Sequence, residues 1–343
     1  MKLTTTIKTT MVLLIAGLLA CAASAGGAPT ITVRENSTSV EIQQALDSLP
    51  DSGGEVILPP GTYAICEPIV LQRSHQTLRG SGPSTLLQLA DHANCPVIVM
   101  GEPVNSPSRT VSNLRVADLA INGNRQEQEN EIWQIPNGMS EIRNNGLTIQ
   151  GVTDSVVEHV VASHCRSGGL VTTHYVRRLK VRDFIATDSE FDGLACYRTE
   201  ESEFTGLFLH NNQAAGISFD LSVNNNLVRD AILADNDLGI FMRESRSNIF
   251  REINVDQSRS YGVFMAQAEQ RTSTGWGPRA HTECTNNSFN ELRVSNSGAA
   301  AFRVNDATCV DNVISSAHFR DNAKGGLSQV TPNLVMATIL VQK

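Results

Sequence analysis

The chain has 343 residues, of which 41% are hydrophobic and 18% are charged, and its formal net charge is −8 at pH 7. A nucleic-acid-binding protein needs a basic surface to neutralise phosphates, so the acidic balance excludes nucleic acid from the expected partners. A strongly anionic polymer would likewise need local arginines or a cation to offset the repulsion. The chain is long for one compact core, but its length is ordinary for a solenoid, which grows by adding coils.

Residues 1–25 have the composition of a secretion signal. Lys2 and Lys8 precede the apolar run MVLLIAGLLA, and small residues follow it, which is the order expected of a signal peptide. Residues 23–25 (ASA) resemble a signal peptidase I site, whereas residues 18–21 (LLAC) resemble a lipobox in which Cys21 would be acylated. We favour the first, which predicts a secreted or periplasmic protein; the second predicts a lipid-anchored outer-membrane lipoprotein. No later run of about 18 apolar residues could span a membrane.

The remainder, residues 26–343, is expected to form one domain that begins with an extended leader and a short helix. Thr38 and Glu41 have the spacing of a capping box. An amphipathic helix over residues 38–49 would cover the first coil of a solenoid, whose end otherwise exposes core and unpaired strand edge. Its apolar face would contain Ile42, Ala45, Leu46 and Leu49.

After this helix, short strands alternate with glycine- and proline-rich turns. The run TSVEIQQALDSLPDSGGEVILPPGTYAI, followed by TLRGSGPSTLLQL, resembles the N-terminal cap and first coils of the pectate-lyase-like superfamily of right-handed parallel β-helices. The resemblance covers about residues 38–330 and implies that fold and a carbohydrate ligand. It does not imply one reaction, because the superfamily includes lyases, hydrolases, epimerases, phage tailspikes and adhesins.

The more specific motifs of that superfamily are missing. Of the polygalacturonase series, only Phe191-Asp192-Gly193 echoes the Asn-Thr-Asp motif. The Asp-Pro-His-Asp/Glu run of the mannuronan epimerases and the Gly-Gly-x-Gly-x-Asp calcium repeat do not occur. The resemblance therefore implies a fold and transfers no catalytic residue.

A glycine followed by a short apolar strand recurs through most of the chain. The steps are 23 or 24 residues from Gly146 to Gly262, and then 39 and 25 residues to Ala301 and Gly326. Apolar residues at +1 and +3 after each glycine have the period of a strand, and helical stripes are missing. The pattern predicts an all-β, single-stranded, right-handed parallel β-helix with three short strands in each coil of about 23 residues.

A second repeated position lies later in each coil, where an Asn or Ser precedes apolar residues at +2, +5 and +7. Asn tolerates left-handed backbone and bonds its own turn, so a recurrent Asn predicts a stacked ladder inside a turn. The members are Ser202, Asn226, Asn248, Asn287 and Asn312.

Residues 124–144 and 268–283 interrupt the repeat as insertions. Insertions in solenoids commonly shape the binding face, and these two contain both tryptophans, Trp133 and Trp276. Five coils separate them, or about 24 Å at the usual strand spacing. They are expected to wall a glycan-binding groove at its two ends; alternatively, each tryptophan holds its own loop against the flank of the helix.

Six cysteines follow the signal segment, and an even number in an exported protein indicates disulfides. Cys284 and Cys309 each lie three residues before a ladder Asn, so they should stack in neighbouring coils about 4.8 Å apart, which suits a disulfide. For Cys165 and Cys196, two separate buried thiols are the alternative to a bond. The predicted disulfides are Cys284–Cys309 and Cys66–Cys95.

The outward positions +2 and +4 of the post-glycine strands should form one solvent-facing sheet surface. Tyr197, Asp220 and Arg243 occupy +4 in three successive coils, so they are predicted to share one wall. Phe241 and Phe264 at +2 offer a stacking surface for a sugar ring. The predicted substrate-binding residues are Arg198, Phe241, Phe264, Gln267, Arg303, Asn305, Asp306, Trp133 and Trp276.

Two enzymatic mechanisms are compatible with this surface. A lyase or epimerase needs a cation to stabilise the enolate of a uronate, which Arg243 or Arg198 could supply, with Tyr197 or His174 as base or acid.

A hydrolase needs two carboxyl groups, for which Asp220 with Glu244 or Asp306 are the candidates. The alternative to both mechanisms is a surface ion-pair ladder of little energetic value, formed by Asp220–Arg243 and Arg198–Glu244.

The sequence therefore predicts an exported carbohydrate-active enzyme that acts on a uronate-containing or neutral glycan, with a lyase or epimerase preferred to a hydrolase. The alternative is a non-catalytic glycan-binding or surface-structural β-helix. No metal site is assigned. The acidic turn of Glu200, Glu201 and Glu203 is either a solvated edge or a site for a divalent cation such as calcium.

Overall fold

The computed structural model describes residues 28–132, 142–267, 282–332 and 335–342. The chain winds into a right-handed parallel β-solenoid of about 12 turns, with coils about 24 residues apart. This confirms the predicted fold class. The signal segment with Cys21, as well as Trp133 and Trp276, lie outside the described residues, so the expectations placed on them stay predictions. Within the described ranges, the structure has no helix long and apolar enough to cross a membrane.

Helix α1 (Ser39–Ser48) closes the N-terminal end of the solenoid. The predicted capping box is present: the backbone N–H of Glu41 donates to Thr38 Oγ1 over 3.3 Å, and the backbone N–H of Thr38 donates to Glu41 Oε2 over 2.8 Å. Ile42 and Leu46 are fully buried. The helix therefore covers apolar core that the first coil would otherwise expose.

One parallel sheet, the bent sheet, contains all the eight-residue strands of the described chain. Its strands are β1 Thr30–Thr32, β2 Gly54–Ile57, β3 Gly61–Ile65, β5 Gln76–Arg79, β6 Thr85–Leu89, β9 Arg115–Asn122, β12 Val156–Ser163, β15 Lys180–Thr187, β18 Glu203–His210, β20 Leu227–Ala234, β22 Ile249–Asp256, β24 Ser288–Ser295, β26 Asn312–Arg320 and β28 Val335–Gln342.

A second parallel sheet, the post-glycine sheet, contains the strands that follow the repeated glycines. Its strands are β4 Ile69–Leu71, β7 Ile98–Met100, β8 Val111–Ser112, β10 Leu147–Gln150, β11 Val152–Thr153, β13 Leu170–Thr173, β14 Val176–Arg177, β16 Leu194–Cys196, β17 Thr199–Glu200, β19 Ala215–Asn224, β21 Leu238–Arg246, β23 Val263–Ala266, β25 Phe302–Val304 and β27 Leu327–Gln329. A 3₁₀ turn spans Arg125–Glu127.

Left-handed residues bend the long strands of the bent sheet. The sequence predicts three separate strands per coil. In the structure, two of those three strands form one continuous strand of the bent sheet, which bends at a single residue with φ near +55°. Such backbone is uncommon for residues other than glycine, and Asn, Asp and His tolerate it best. The stacked bend residues include Asp118, His159, Asp183, Gly206, Asp230, Glu252 and Glu291.

The solenoid core is formed by the residues predicted to point inward. The +1 and +3 positions of four consecutive post-glycine strands are fully buried. Aromatic rings stack between coils, and the Phe250 and Phe289 ring centroids lie 4.8 Å apart, close to the strand spacing. The four buried pairs are Leu194 and Cys196, Ile217 and Phe219, Ile240 and Met242, and Val263 and Met265.

The predicted asparagine ladder is present. The backbone N–H and the side-chain amide of Asn226 both donate to Asn248 Oδ1 over 3.0 Å, and the same pair of bonds joins Asn248 to Asn287 and Asn287 to Asn312. The ladder satisfies buried amide groups in every turn it crosses. A second ladder, unrecognised in the sequence, joins Asn212 to Asn236 in the same way.

The six described cysteines are free thiols, so the two predicted disulfides are not shown by the structure. The predicted proximity of Cys284 and Cys309 is present, because their thiols hydrogen-bond to each other; burial is the largest cause of the raised pKa of Cys284, and the bond between the thiols lowers the pKa of Cys309. Cys165 and Cys196 are buried thiols that no disulfide joins, which is the alternative given for that pair.

Candidate functional site

Asp220 and Arg243 lie opposite each other on adjacent strands β19 and β21. The Arg243 guanidinium donates from Nε to Asp220 Oδ1 over 2.9 Å and from a terminal nitrogen to the other carboxylate oxygen. This forked bond raises the pKa of Arg243 and fixes the orientation of both groups. Tyr197 follows Cys196, which pairs in register with Phe219, so Tyr197 lies beside Asp220. The three residues share one wall, as the repeat predicts.

The wall is less open than predicted. Ser218 and Asp220 point outward from the sheet but are only 4% and 7% exposed. At the N-terminal coils, Gln150 is buried under a loop that contains Glu102 and Val104. Its side-chain amide donates to the backbone carbonyls of both residues. The expectation that every outward position faces solvent is therefore wrong in this half of the sheet.

Asp192 is a carboxyl group of this site that sequence reasoning left without a role. The backbone N–H of Ala215 donates to its Oδ1 over 2.8 Å. The pKa of Asp192 is raised to about 7, mainly by burial and also by the Asp220 charge, against the lowering effects of the Ala215 bond and the Arg143 charge. Asp192 precedes the repeated glycine and thus lies outside the alternating strand positions; its one sequence signal is the Phe191-Asp192-Gly193 echo.

Arg143 brings a second cation to this end of the wall. Its guanidinium lies 5.5 Å from the Phe191 ring centroid and pairs with Glu131. A β-bridge between Ile132 and Arg143 joins the two described ends of the first insertion. The base of that insertion therefore contacts the margin of the site, where the Arg143 charge acts on Asp192.

Tyr197 is half-buried and electrostatically coupled to the carboxyl groups. Burial raises its pKa well above the ordinary value, and the negative charges of Asp192 and Asp220 raise it further. The phenol therefore stays protonated at neutral pH. It can donate a hydrogen bond or a proton, but it is a poor base.

His174 and Glu244, the predicted catalytic residues at the turn after the post-glycine strands, are buried. His174 and Glu244 are 4% and 0% exposed, and Ser222 Oγ donates to Glu244 Oε1 over 2.9 Å. Here β19 contains a bulge between Asp220 and Val223, and bulges commonly redirect side chains beside functional sites. His174 and Glu244 thus lie beside the wall without forming its surface.

Arg198 lies on the same turn and contacts an exposed aromatic ring. Its guanidinium carbon is 5.6 Å from the Tyr175 ring centroid, and its Nη1 donates to the Tyr175 hydroxyl over 3.4 Å. Arg198 is therefore positioned at the margin of the sheet by Tyr175.

Aromatic side chains continue the wall toward the C-terminus. Phe241 and Phe264 are half-buried, their ring centroids are 6.1 Å apart, and their planes differ by 8°. The Tyr261 centroid lies 5.3 Å from that of Phe264, and the Arg243 guanidinium carbon lies 5.6 Å from the Phe241 centroid. We name Phe241, Tyr261 and Phe264 the aromatic platform. It begins beside the Asp220–Arg243 pair.

The remaining predicted binding residues meet beyond the platform. Arg303 pairs in register with Phe264 and donates to Ser328 Oγ over 2.8 Å and to Asn305 Oδ1 over 3.3 Å. The backbone N–H of Gln267 donates to Asp306 Oδ2 over 2.9 Å. These residues bring polar groups to the C-terminal end of the same face.

The acidic turn is occupied by ion pairs. Arg177 pairs with Glu201, Arg178 with Asp154 and Glu201, and Arg229 with Glu203. In the described parts of the chain, no group of three or more His, Cys, Asp or Glu residues could hold a metal ion.

Solved structures with the same fold differ in their chemistry. The chain resembles the endo-xylogalacturonan hydrolase of Aspergillus tubingensis with a TM-score of 0.63 and 16% identity, over 91% of this chain and 95% of that one. It resembles the mannuronan C-5 epimerase A-module of Azotobacter vinelandii with a TM-score of 0.54 and 15% identity, over 89% and 95%. It resembles the ORF18 protein of Geobacillus virus E2 with a TM-score of 0.59 and 12% identity. That match covers 90% of this chain but only 59% of the length of the virus protein.

At such identities the similarity establishes the fold alone. It defines the fold class: a right-handed parallel β-helix, the fold that the N-terminal resemblance implies. No curated protein sequence matches the chain. Residues 118–337, more than half of the chain, match the NosD family, whose description is periplasmic copper-binding protein. The chain belongs to the NosD family.

Copper, which the family description names, binds to soft thiolate or imidazole ligands. Burial raises the pKa of the Cys95, Cys165 and Cys196 thiols to about 12, so a metal would have to displace their protons in order to bind. Cys284 and Cys309 offer two sulfurs, and no third donor joins them in the described ranges. The described residues therefore do not fit a copper site.

Proposed function

We propose that this protein is an exported, glycan-active enzyme that cleaves glycosidic bonds by acid–base catalysis on the wall of Asp192, Tyr197, Asp220 and Arg243. The observation that carries the proposal is the contrast between two carboxyl groups. Burial holds the pKa of Asp192 at about 7, whereas Asp220 is held in a forked ion pair by Arg243. Two carboxyl groups in such different environments supply the acid and the carboxylate that glycoside hydrolysis requires.

Each residue has a defined role in this mechanism. Protonated Asp192 donates its proton to the glycosidic oxygen as the bond from that oxygen to the anomeric carbon breaks. On the opposite side of the sugar, the Asp220 carboxylate either takes a proton from the water that attacks the anomeric carbon, or attacks that carbon itself to form an ester that water then hydrolyses. Arg243 orients that carboxylate through its fork. Neutral Tyr197 donates a hydrogen bond to a sugar hydroxyl between the two.

The contacts of the wall favour hydrolysis over the lyase or epimerase preferred from the sequence. Elimination needs a cation that is free to stabilise an enolate, and Arg243 already binds Asp220 through both arms of its fork. The other candidate cation, Arg198, lies at the margin of the sheet against Tyr175. Elimination also needs a base; the raised pKa of Tyr197 makes that phenol a poor one, and His174 is only 4% exposed.

The comparisons support a carbohydrate ligand and export. One similar structure is named as a glycan hydrolase and another as a mannuronan epimerase, and the family description includes the word periplasmic. A second candidate function is non-catalytic glycan binding. The observation that favours it is the burial of Asp220, which is 7% exposed and so presents little of its carboxylate to a ligand.

The test is a turnover screen of the purified protein against pectin, alginate, glycosaminoglycans and neutral plant glycans. New reducing ends without an unsaturated-uronate absorbance would support hydrolysis. Asp192→Asn should then lower kcat/KM by about 10² to 10⁴, the usual contribution of a general acid. The matched control is Asp183→Asn, an exposed carboxylate on the bent sheet, which should change little.

Three outcomes contradict the proposal. An unsaturated-uronate product selects elimination, and binding without turnover selects the second candidate. Full activity of the Asp192→Asn protein removes Asp192 from the mechanism.

A further inference from the structure

The aromatic platform lies next to the cleavage site along the solenoid axis. Phe241 occupies the same strand as Arg243, one coil beyond Asp220, and Phe264 lies one coil further. At about 4.8 Å per coil, the platform starts within about 5–10 Å of the Asp220 strand. A glycan lying along the sheet would place the sugar units next to the scissile bond on these rings.

The platform offers apolar contact. Phe241 and Phe264 point out of the sheet, remain half-buried, and are nearly parallel. Tyr261 packs at an angle of 46° against Phe264, which supports that ring from the N-terminal side of its strand. Partly exposed aromatic groups adjoining a polar cleft are typical ligand-contact surfaces, and the apolar C–H face of a pyranose ring is complementary to them.

The cations near the platform are already compensated. Arg243 is forked onto Asp220, and Arg143 pairs with Glu131. Asp192 and Asp220 add two carboxyl groups to the same wall. An anionic sugar between Asp220 and the platform would approach carboxyl groups whose neighbouring cations, Arg243 and Arg143, are already paired, which costs affinity.

Arg303 is the residue that could reverse this argument. It follows Phe264 by one coil, and its hydrogen-bond partners in the described chain are the neutral Ser328 Oγ and Asn305 Oδ1. A carboxylate or sulfate beyond the platform could reach it, so acidic glycans belong in the test.

We propose that the aromatic platform is a subsite for uncharged sugar rings, so that the substrate is a neutral glycan rather than a polyuronate. This inference rests on the proposed function, because it assigns the ligand class of the same wall. The sugar is recognised by contact of its C–H face with Phe241 and Phe264, and the neutral ring avoids repulsion by the Asp220 carboxylate.

The experiment measures binding by calorimetry to the full chain carrying Asp192→Asn. The neutral probes are xylan, β-glucan, mannan and galactan hexasaccharides, and the acidic probes are galacturonate, mannuronate and sulfated hexasaccharides. The tightest ligand should be neutral, and its affinity should vary less than twofold between 50 and about 300 mM salt, because screening acts on charged groups.

Phe264→Leu should weaken that ligand about tenfold through loss of the aromatic contact, and Phe264→Trp should restore it. The matched control is Phe208→Leu, since Phe208 is a 39% exposed ring on the bent sheet; it should leave the affinity within twofold. Far-ultraviolet circular dichroism identifies any variant that fails to fold. If Phe264→Leu does not fold, Phe264→Trp decides: retained affinity for the neutral ligand supports the inference, and lost affinity contradicts it.

An acidic tightest ligand overturns the inference, as do unchanged binding by Phe264→Leu or the lack of any ligand in both sets. Failure of the proposed function has a different result, because cleavage by the Asp192→Asn protein contradicts the catalytic assignment while leaving the order of ligand affinities intact.

Discussion

The pKa of Asp192 has a consequence for the pH dependence of stability. The pKa is about 7 in the folded chain, whereas 3.8 is the ordinary value for aspartate. Below pH 3.8 both states hold the proton, and the group contributes no difference. Between these pH values the folded state keeps a proton that the unfolded state has lost, so stability falls as pH rises. Above about pH 7 both states are ionised, and the full penalty remains.

Substitution of Asp192 by Asn should remove this penalty. A shift of about three pKa units corresponds to about 4 kcal/mol, and solvent reaching the half-buried group reduces the expected value to about 2–4 kcal/mol. The side-chain oxygen of Asn can still accept the bond from the Ala215 N–H. The variant should therefore gain stability over the wild type progressively from pH 4 to pH 7 and keep that gain at pH 8.

Urea unfolding at half-unit pH steps measures the difference, with circular dichroism as the signal. Because solenoids can unfold in stages, the urea midpoints are compared only where the free energy of unfolding of the two proteins has the same dependence on urea concentration. Asp230→Asn is the control, since Asp230 is an exposed carboxylate on the bent sheet and should give a flat difference. A flat Asp192→Asn difference, or a variant that loses stability as pH rises, would refute the reasoning.

Three further predictions follow from the same contacts. Arg243→Met leaves the Asp220 carboxylate buried without its partner and should lower the free energy of unfolding by about 3 kcal/mol; a loss below 0.5 kcal/mol in urea unfolding would show that the pair is solvated. Asn248→Ala removes one step of the ladder and should cost about 2–4 kcal/mol, because buried amide groups in two turns lose partners; an Asn254→Ala control on the outer face of the bent sheet should cost little. The kcat/KM of the active protein should fall about tenfold per pH unit above pH 7 as Asp192 loses its proton; an unchanged rate to pH 9 would contradict that role.

The repeat determined most of what could be predicted from the sequence. Residues one coil apart become neighbours in space, so the spacing of Tyr197, Asp220 and Arg243 was enough to predict their shared wall. The Asn ladder followed from the same reasoning, because its members differ by whole coils.

Features outside the strand alternation could not be read in this way. Asp192 lies one residue before the glycine, where the chain turns, so its direction depends on backbone angles rather than on a period of two. The burial of Asp220 and Gln150 depends on what lies over the sheet, such as the loop carrying Glu102 and Val104. A repeat pattern does not describe such contacts, and the exposed fraction of these side chains therefore differed from expectation.

The central claim is that Asp192 is the proton-carrying carboxyl group of the wall. Carbon-13 NMR titration of its carboxyl, assigned by comparison with the Asp192→Asn protein, measures this directly. A midpoint at about 7 is the predicted result. A midpoint near 3.8, the ordinary value for aspartate, would contradict the acid role and, with it, the proposed hydrolytic mechanism.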